Sequence, residues 1–359
     1  MVHTTGASRS SWEIVVIGGS QSGLSIGYYL KEHHEDFVIL NALDHPGDVW
    51  RKRWDSLRLF TPAQYDGLPG LPFMGNTGYF PSKDEMADYL DQYAVNFELP
   101  VMNGVVVTGL EKAVDGFKIK SSIGDITARQ VVVASGTHPV PKIPSFARLI
   151  NNHIFQIHSS EYVNPDQIAD GPVLVVGAGT SGLEIAIEVS RKHVAAISGT
   201  PNFHIPDFVF NHLGGLFWWF ANHIVTLQTP VGRKARKNIL AHGGPLISIS
   251  ASDLDNAGVK RYPRVTGVVN GNPQFGGGKE EAFGSIIWAT GFKPDFSWIN
   301  EKITNEYGWP DTNRGISTRI EHLYFVGMPF QSGLTSGFVG GVGRDASFIA
   351  NRIRHHNLN

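Results

Sequence analysis

Two short strings of glycine and small polar residues hold the residue types best suited to chemistry in this chain. The first is Gly18, Gly19, Ser20, Gln21, Ser22 and Gly23, and the second runs from Gly177 through Gly179, Thr180 and Ser181 to Gly182. Each follows an apolar run, Ile14 to Ile17 and Val173 to Val176, and each leads into a helix-like stretch. A buried strand that turns tightly into a helix aims the free N–H groups and positive dipole end of that helix at a phosphate. Glycine is needed wherever the backbone itself must come close to that phosphate. One such string is weak evidence, because ordinary strand-to-helix turns also contain glycine. The two strings start 177 − 18 = 159 residues apart, and a repeated signal of this kind points to two dinucleotides and therefore to redox chemistry.

The elements that position these turns follow from the apolar patterning. Glu13 to Ile17, Ser22 to His33 and Phe37 to Leu40 read as one strand–helix–strand unit, with a further strand at Val131 to Ala134. The pattern restarts at Pro172 with a strand, the second glycine turn, a helix to Ser190 and a strand at Val194 to Ser198. Later strands at Ile286 to Ala289 and Leu323 to Val326 lead to a glycine-rich helix start at Leu334. The fold class is α/β, with two Rossmann-like dinucleotide-binding domains, the second inserted into the first. The expected boundaries are a disordered N-terminus over residues 1–10, a first domain over 11–168 and 285–359, and a second over 169–284.

Composition narrows the function. A length of 359 residues exceeds a single core, and 42% hydrophobic content suits two domains. A formal net charge of −2 provides no field for nucleic acid or anionic lipid. The polar first ten residues lack a signal-peptide core, so a cytoplasmic protein is expected. The most apolar stretch, Leu213 to Val225, is too short to span a bilayer and carries Asn222 and His223. Its Phe217, Trp218, Trp219 and Phe220 are expected to pack under a lid or line a substrate channel. There are no cysteines, which removes dithiol electron transfer and leaves oxygen, a quinone, an iron–sulfur partner or a small molecule as acceptor. The histidine pairs His33-His34 and His355-His356 have no second ligand set, so no metal is expected.

Further segments carry a family resemblance. His158 to Tyr162 (HSSEY), Phe80 to Lys83 (FPSK), Ser198-Gly199 ahead of Phe203 to Pro206 (FHIP), Ala289 to Trp298 (ATGFKPDFSW) and Gly340 to Asp345 (GGVGRD) accompany the two glycine strings. In this order the chain resembles flavin-containing monooxygenases over nearly its whole length, in particular the small bacterial members. The resemblance implies FAD in the first domain and NADPH, with NADH also admissible, in the second. It further implies hydride transfer to flavin, oxygen addition as a 4a-hydroperoxide, and transfer of the distal oxygen to a sulfide or amine. Tyr162, where related ketone-oxidising enzymes carry tryptophan, favours the sulfur- and nitrogen-oxidising branch. Rival readings are an electron-transfer or quinone reductase and a non-enzymatic nucleotide sensor. The expected partners are a small-molecule substrate and O2, with no nucleic acid and no stable membrane insertion; a homodimer stays open.

Individual residues then take expected roles. Gly18 makes the tight turn and Gly23 lets the helix pack, while Ser20 replaces the middle glycine and Asn41 replaces the usual ribose-binding carboxylate, so FAD should be held loosely. Gly136, Thr290, Gly291 and Gly327 follow strand ends and are expected against cofactor. By the resemblance, Trp50 and Phe60 flank the flavin as catalytic-site residues, in a loop with no asparagine between Asn41 and Asn76. His158 positions the coenzyme, and Thr335 and Ser336 open a helix aimed at the flavin. Thr200 stands where an arginine would read a 2′-phosphate, with Arg191 and Lys192 as partial substitutes.

Overall fold

The computed structural model describes residues 9–76, 78–136, 140–306 and 308–357. Residues 1–8 of the expected disordered N-terminus lie outside these. Arg9 is anchored: it donates to Asp36 at 2.9 Å and its guanidinium lies 3.8 Å over the Trp12 ring, so order begins earlier than residue 11.

The chain opens with β1 (Ser11–Ile17), α1 (Gln21–Glu32), β2 (Phe37–Leu40), a single helical turn α2 (Asp48–Arg51), α3 (Lys83–Asn96) and β3 (Val101–Met102). An antiparallel meander of β4 (Val107–Ala113), β5 (Gly116–Ser121) and β6 (Gly124–Val133) precedes the short β7 (Val140–Pro141). Next come β8 (Phe155–His158), β9 (Val173–Val176), α4 (Thr180–Val189), β10 (Ala195–Ser198), α5 (Asp207–His223), α6 (Pro230–His242) and α7 (Ala251–Asn256). These lead to β11 (Lys260–Tyr262), the hairpin β12 (Val265–Val269) and β13 (Asn272–Phe275), then β14 (Ser285–Trp288) and β15 (Phe292–Lys293). The chain closes with β16 (Thr312–Asn313), β17 (Ile316–Ser317), β18 (Leu323–Phe325) and α8 (Val342–Asn357).

Two sheets organise these elements. In the first, the order is β16-β17-β18-β6-β1-β2-β3, with β5 and β4 added beside β6. Its central strands are parallel, with Ile14 opposite Phe37 and Ile17 opposite Val133. Strands covered on both faces must be apolar throughout, which is why β1 and β2 read as unbroken apolar runs. Alternate residues then feed opposite layers. Ile14, Val16 and Ile39 pack with Leu24 of α1, Leu90 of α3 and Ile349 of α8. Val15, Ile17 and Val38 pack with Phe117, Ile119 and Phe325.

The second sheet has the order β11-β10-β9-β14-β8, parallel throughout. One face packs on α4 through Val173, Val175 and Ile287, and the other on the β12–β13 hairpin through Leu174, Trp288 and Phe275. β18 and α8 return to the first sheet, so the second domain is an insertion in the first. The domain boundaries need correction. Strands 155–158 and 285–288, expected in the first domain, are outer and central strands of the second sheet, because β14 pairs with both β8 and β9. Among the described residues no helix is long and apolar enough to cross a membrane.

Candidate active site

The two glycine strings have the same geometry. Gly18 has φ +112° and Gly177 φ +115°, a left-handed conformation that disfavours any side chain. A Cβ on Gly18 would lie 2.4 Å from the Ala134 carbonyl oxygen, and one on Gly177 2.2 Å from that of Ala289. A Cβ on Gly23 would reach the Gly18 oxygen at 1.8 Å, and one on Gly182 the Gly177 oxygen at 1.9 Å. Each turn is thus folded onto its own helix and onto the end of the neighbouring parallel strand. The middle position differs. A Cβ on Gly179 would meet nothing within 4 Å, so the turn opens on free space, and Ser20 occupies the equivalent place with its hydroxyl 2.6 Å from Gln21 Oε1. Neither α1 nor α4 carries an acid in its first turn, so both helix starts suit a phosphate. The residues fit a pyrophosphate at each cradle.

Around the first cradle, the carboxyl ends of β2, β6 and β18 bring together Asn41, Gly136 and Gly327. A Cβ on Gly327 would sit 2.1 Å from the Ser22 hydroxyl, so glycine there lets β18 end directly against α1. Asn41 is buried, and its amide nitrogen donates to the Leu43 carbonyl at 3.0 Å and to Asn103 Oδ1 at 2.8 Å. Two of its hydrogen bonds therefore support the strand end, and its Oδ1 is the atom it could offer a ribose.

Trp50 sits on α2, which is clamped from below. Arg51 bridges Asp48, Asp88 and Asp91 at 3.1, 2.6 and 2.8 Å, and Asp91 accepts the Gly47 N–H at 2.9 Å. The FPSK motif supplies the other half of the clamp. Ser82 and Glu85 form a capping box that starts α3, and the buried Lys83 ammonium donates to the Arg51 carbonyl at 3.1 Å. The Trp50 indole N–H is buried with no partner among the described residues.

Around the second cradle lie Thr180 and Ser181 on α4, and Thr290 and Gly291 beyond β14. His158 is fully buried at the end of β8. Its Nδ1 accepts the Ser160 N–H at 3.1 Å, so its Nε2 donates to the Gly291 carbonyl at 3.0 Å, and burial pushes its pKa down. Expected to position the coenzyme, it holds the Gly291 turn with both ring nitrogens engaged. Thr200 is exposed just past β10. Arg191 and Lys192 stand beyond the other end of α4, about 15 Å away for ten helical residues. They cannot substitute at the ribose, and Lys192 is paired with Asp166. Burial, and then the neighbouring Glu188, push the Glu184 carboxyl, one turn into α4, up to about 8.

A cavity of about 430 Å³ opens between the loop after α2, the end of α5 and the turn before α8. Its walls include Thr61, Tyr65, Trp218, Asn222, Thr335 and Phe338. Phe60 packs edge-on to Phe338 with ring centroids 5.1 Å apart, and Tyr65 lies 5.2 Å from the Trp218 ring. Of the four aromatics expected under a lid, Trp218 is buried here, whereas Trp219 and Phe220 are 52% and 42% exposed. The end of α5 is locked in place. Thr335 donates to Asn222 Oδ1 at 2.5 Å and Arg344 donates to the Asn222 carbonyl at 2.5 Å. This leaves the Asn222 Nδ2 as the donor that the residue offers to the cavity.

The helix expected to open at Leu334 is a 3-10 turn, Leu334–Gly337, and α8 starts only at Val342. Three glycines in Gly337, Gly340 and Gly341 disfavour a continuous helix, and one turn carries little dipole. Ser336 is spent inside the turn, accepting the Ser332 and Gly333 N–H groups at 3.0 and 3.1 Å. Behind the cavity wall, Asp66 has no exposed surface and accepts a hydrogen bond from Thr61. Burial pushes its carboxyl up to about 7. Asn222, Tyr65 and Asp66 were missed as site residues in the sequence, because they come from three separate segments with no shared spacing. Among the described residues no three histidine, aspartate or glutamate side chains gather as a metal site.

Comparison with known proteins agrees with this geometry. The pyridine nucleotide-disulphide oxidoreductase family matches residues 15–205, more than half the chain. An uncharacterized CzcO-like oxidoreductase of Geobacillus kaustophilus is 38% identical, over 96% of this chain and 99% of its own. A probable indole-3-pyruvate monooxygenase, YUCCA8 of Arabidopsis thaliana, is 32% identical over 94% of this chain and 88% of its own. The structure of a flavin-containing monooxygenase from Stenotrophomonas maltophilia superposes with a TM-score of 0.78 at 27% identity, covering 97% of this chain and 99% of that one. The chain belongs to the pyridine nucleotide-disulphide oxidoreductase family and, within it, to the flavin monooxygenases: it is an FAD-dependent NAD(P)H oxidoreductase.

Proposed function

We propose that the protein is a cytoplasmic monooxygenase that oxygenates the sulfur or nitrogen of a small aromatic or apolar molecule. For a thioether the balanced reaction consumes one NAD(P)H, one proton, one O2 and one thioether, and yields one NAD(P)⁺, one water and one sulfoxide. FAD would be held by Gly18 to Gly23, with Gly136 and Gly327 alongside, and NAD(P)H by Gly177 to Gly182, with Thr290 and Gly291 alongside; flavin supplies the two-electron and oxygen chemistry when bound. The protein's part is to orient, exclude water and hydrogen-bond.

The observation that carries this reading is the cavity beside the first domain's flavin-side loop. Tyr65, Trp218 and Phe338 give it flat apolar walls suited to an aromatic guest, and Phe60 closes the cluster behind them. Thr61, Thr335 and Asn222 place polar atoms among these walls. An NAD(P)H-dependent quinone reductase is the second reading, favoured by the lack of an asparagine between Asn41 and Asn76. Asn222 answers that lack by bringing a fixed amide from α5.

Asn222→Ala tests the assignment. FAD content and NADPH oxidation in air should persist, while sulfoxide formed from methyl phenyl sulfide per NADPH consumed falls several-fold. That is the scale of one buried hydrogen bond, about 1 to 2 kcal/mol. An unchanged sulfoxide yield would remove Asn222 and the cavity from the oxygenation site.

A further inference from the structure

The structure leaves the 2′-phosphate of NADPH without a reader on the strand where one is expected. After β10, Gly199 has no side chain and Thr200 is neutral, and the Ser198 hydroxyl is already committed, donating to the Pro263 carbonyl at 2.8 Å and accepting the Val265 N–H at 3.0 Å. The Gly199 N–H donates to the Tyr262 carbonyl at 3.1 Å. These three bonds bind residues 262, 263 and 265 against the end of β10. Arg264 lies in the middle of that segment.

β11 is parallel to β10, with Ser198 opposite Tyr262, so the two strands end on the same edge of the sheet. Adjacent strands are about 4.8 Å apart, less than the reach of an arginine side chain. Arg264 is exposed and makes no ion pair among the described residues, while its carbonyl is fixed by the Gly276 N–H at 2.9 Å. Neighbouring cations are committed: Arg261 pairs with Asp255 at 3.3 Å and Lys279 with Glu281 at 3.4 Å. Lys260 opens β11 at the opposite edge.

We propose that Arg264, supplied by the strand beside the coenzyme strand, reads the adenosine 2′-phosphate of NADPH. A guanidinium forks onto phosphate through paired N–H donors, whereas Thr200 offers one neutral hydroxyl. The proposal rests on the second cradle being the NAD(P)H site, and its test separates the two.

The FAD-loaded full chain is titrated calorimetrically with AMP and with adenosine 2′,5′-bisphosphate. Wild type should bind the bisphosphate about tenfold more tightly, and the gap should narrow as salt rises. Arg264→Ala should bring the two affinities together with AMP binding unchanged, and Arg264→Lys should restore part of the gap. Arg191→Ala, at the far edge, should leave it intact. A gap absent from wild type, preserved in Arg264→Ala or abolished by Arg191→Ala overturns the proposal. Failure of AMP itself to bind overturns the reading of the second cradle, and the proposal with it.

Discussion

Asp66 is a carboxyl group with no exposed surface, accepting one hydrogen bond from Thr61 while its Oδ2 has no partner among the described residues. Burial raises its pKa in the fold to about 7, against about 3.9 unfolded. Because the ionised form is disfavoured only in the fold, this group's contribution to stability is most favourable below about pH 4, falls as pH rises toward 7 and levels off above that. Asp66→Asn keeps an acceptor for Thr61 and removes the titration. It should be more stable than wild type by about 4 kcal/mol at pH 8 and nearly equal at pH 4, as read from thermal unfolding across that range. A stability difference that does not change with pH would contradict the account. At this scale the sequence was legible where spacing is local. Gly18, Gly23, Gly177 and Gly182 announce themselves, because each cradle is built within six consecutive residues. Asp66 and Asn222 were not legible, since the cavity joins a loop, a helix end and a turn that lie far apart along the chain. Arg264 was hidden for the same reason: only strand pairing shows that β11 ends beside β10.

Among the elements, α1 and α4 do the same work, and their starts are fixed by backbone contact rather than by side-chain caps. Gly182→Ala would place a methyl group 1.9 Å from the Gly177 oxygen, forcing α4 off β9. The expected result is lost NADPH binding, with a several-degree fall in melting temperature, while FAD absorbance at the first cradle survives. Retained NADPH binding would show that the second turn is not the phosphate cradle. The strands and helices flanking the two glycine turns were readable to within about two residues, because buried parallel strands form unbroken apolar runs, whereas the strand expected from Val131 begins at Gly124, its first half pairing antiparallel with β5. The segment from Leu334 to Gly341 was misread as helix. Its apolar and small residues fit a helical pattern, but Gly337, Gly340 and Gly341 weaken it, and the chain makes two short 3-10 turns before α8. The kink in α5 at Leu213, with φ −121° and ψ 16°, had no sequence marker beyond the following Gly214-Gly215 pair.

The whole molecule is one design used twice, with the second unit inserted between β6 and β16 of the first. Periodicity gave the insertion but not its seams. Strands 155–158 (FQIH) and 285–288 (SIIW) carry no local mark of which sheet takes them, and the pairing of β14 with β9 on one side and β8 on the other assigns both to the second. The seam is also where the domains meet: Trp54, from the loop after α2, is buried among Ile157, Tyr162 and Leu183, and the Asp55 N–H donates to the Val163 carbonyl at 2.8 Å. The loop after α2 and the second domain are thus joined directly. Incubation of the FAD-loaded protein with NADPH, methyl phenyl sulfide and ¹⁸O2 tests the central claim most directly, because mass spectrometry of the sulfoxide traces the oxygen atom. The account predicts one ¹⁸O per sulfoxide and none with ¹⁸O-labelled water. Unlabelled sulfoxide, or no sulfoxide while NADPH is consumed and added quinone is reduced, would contradict it.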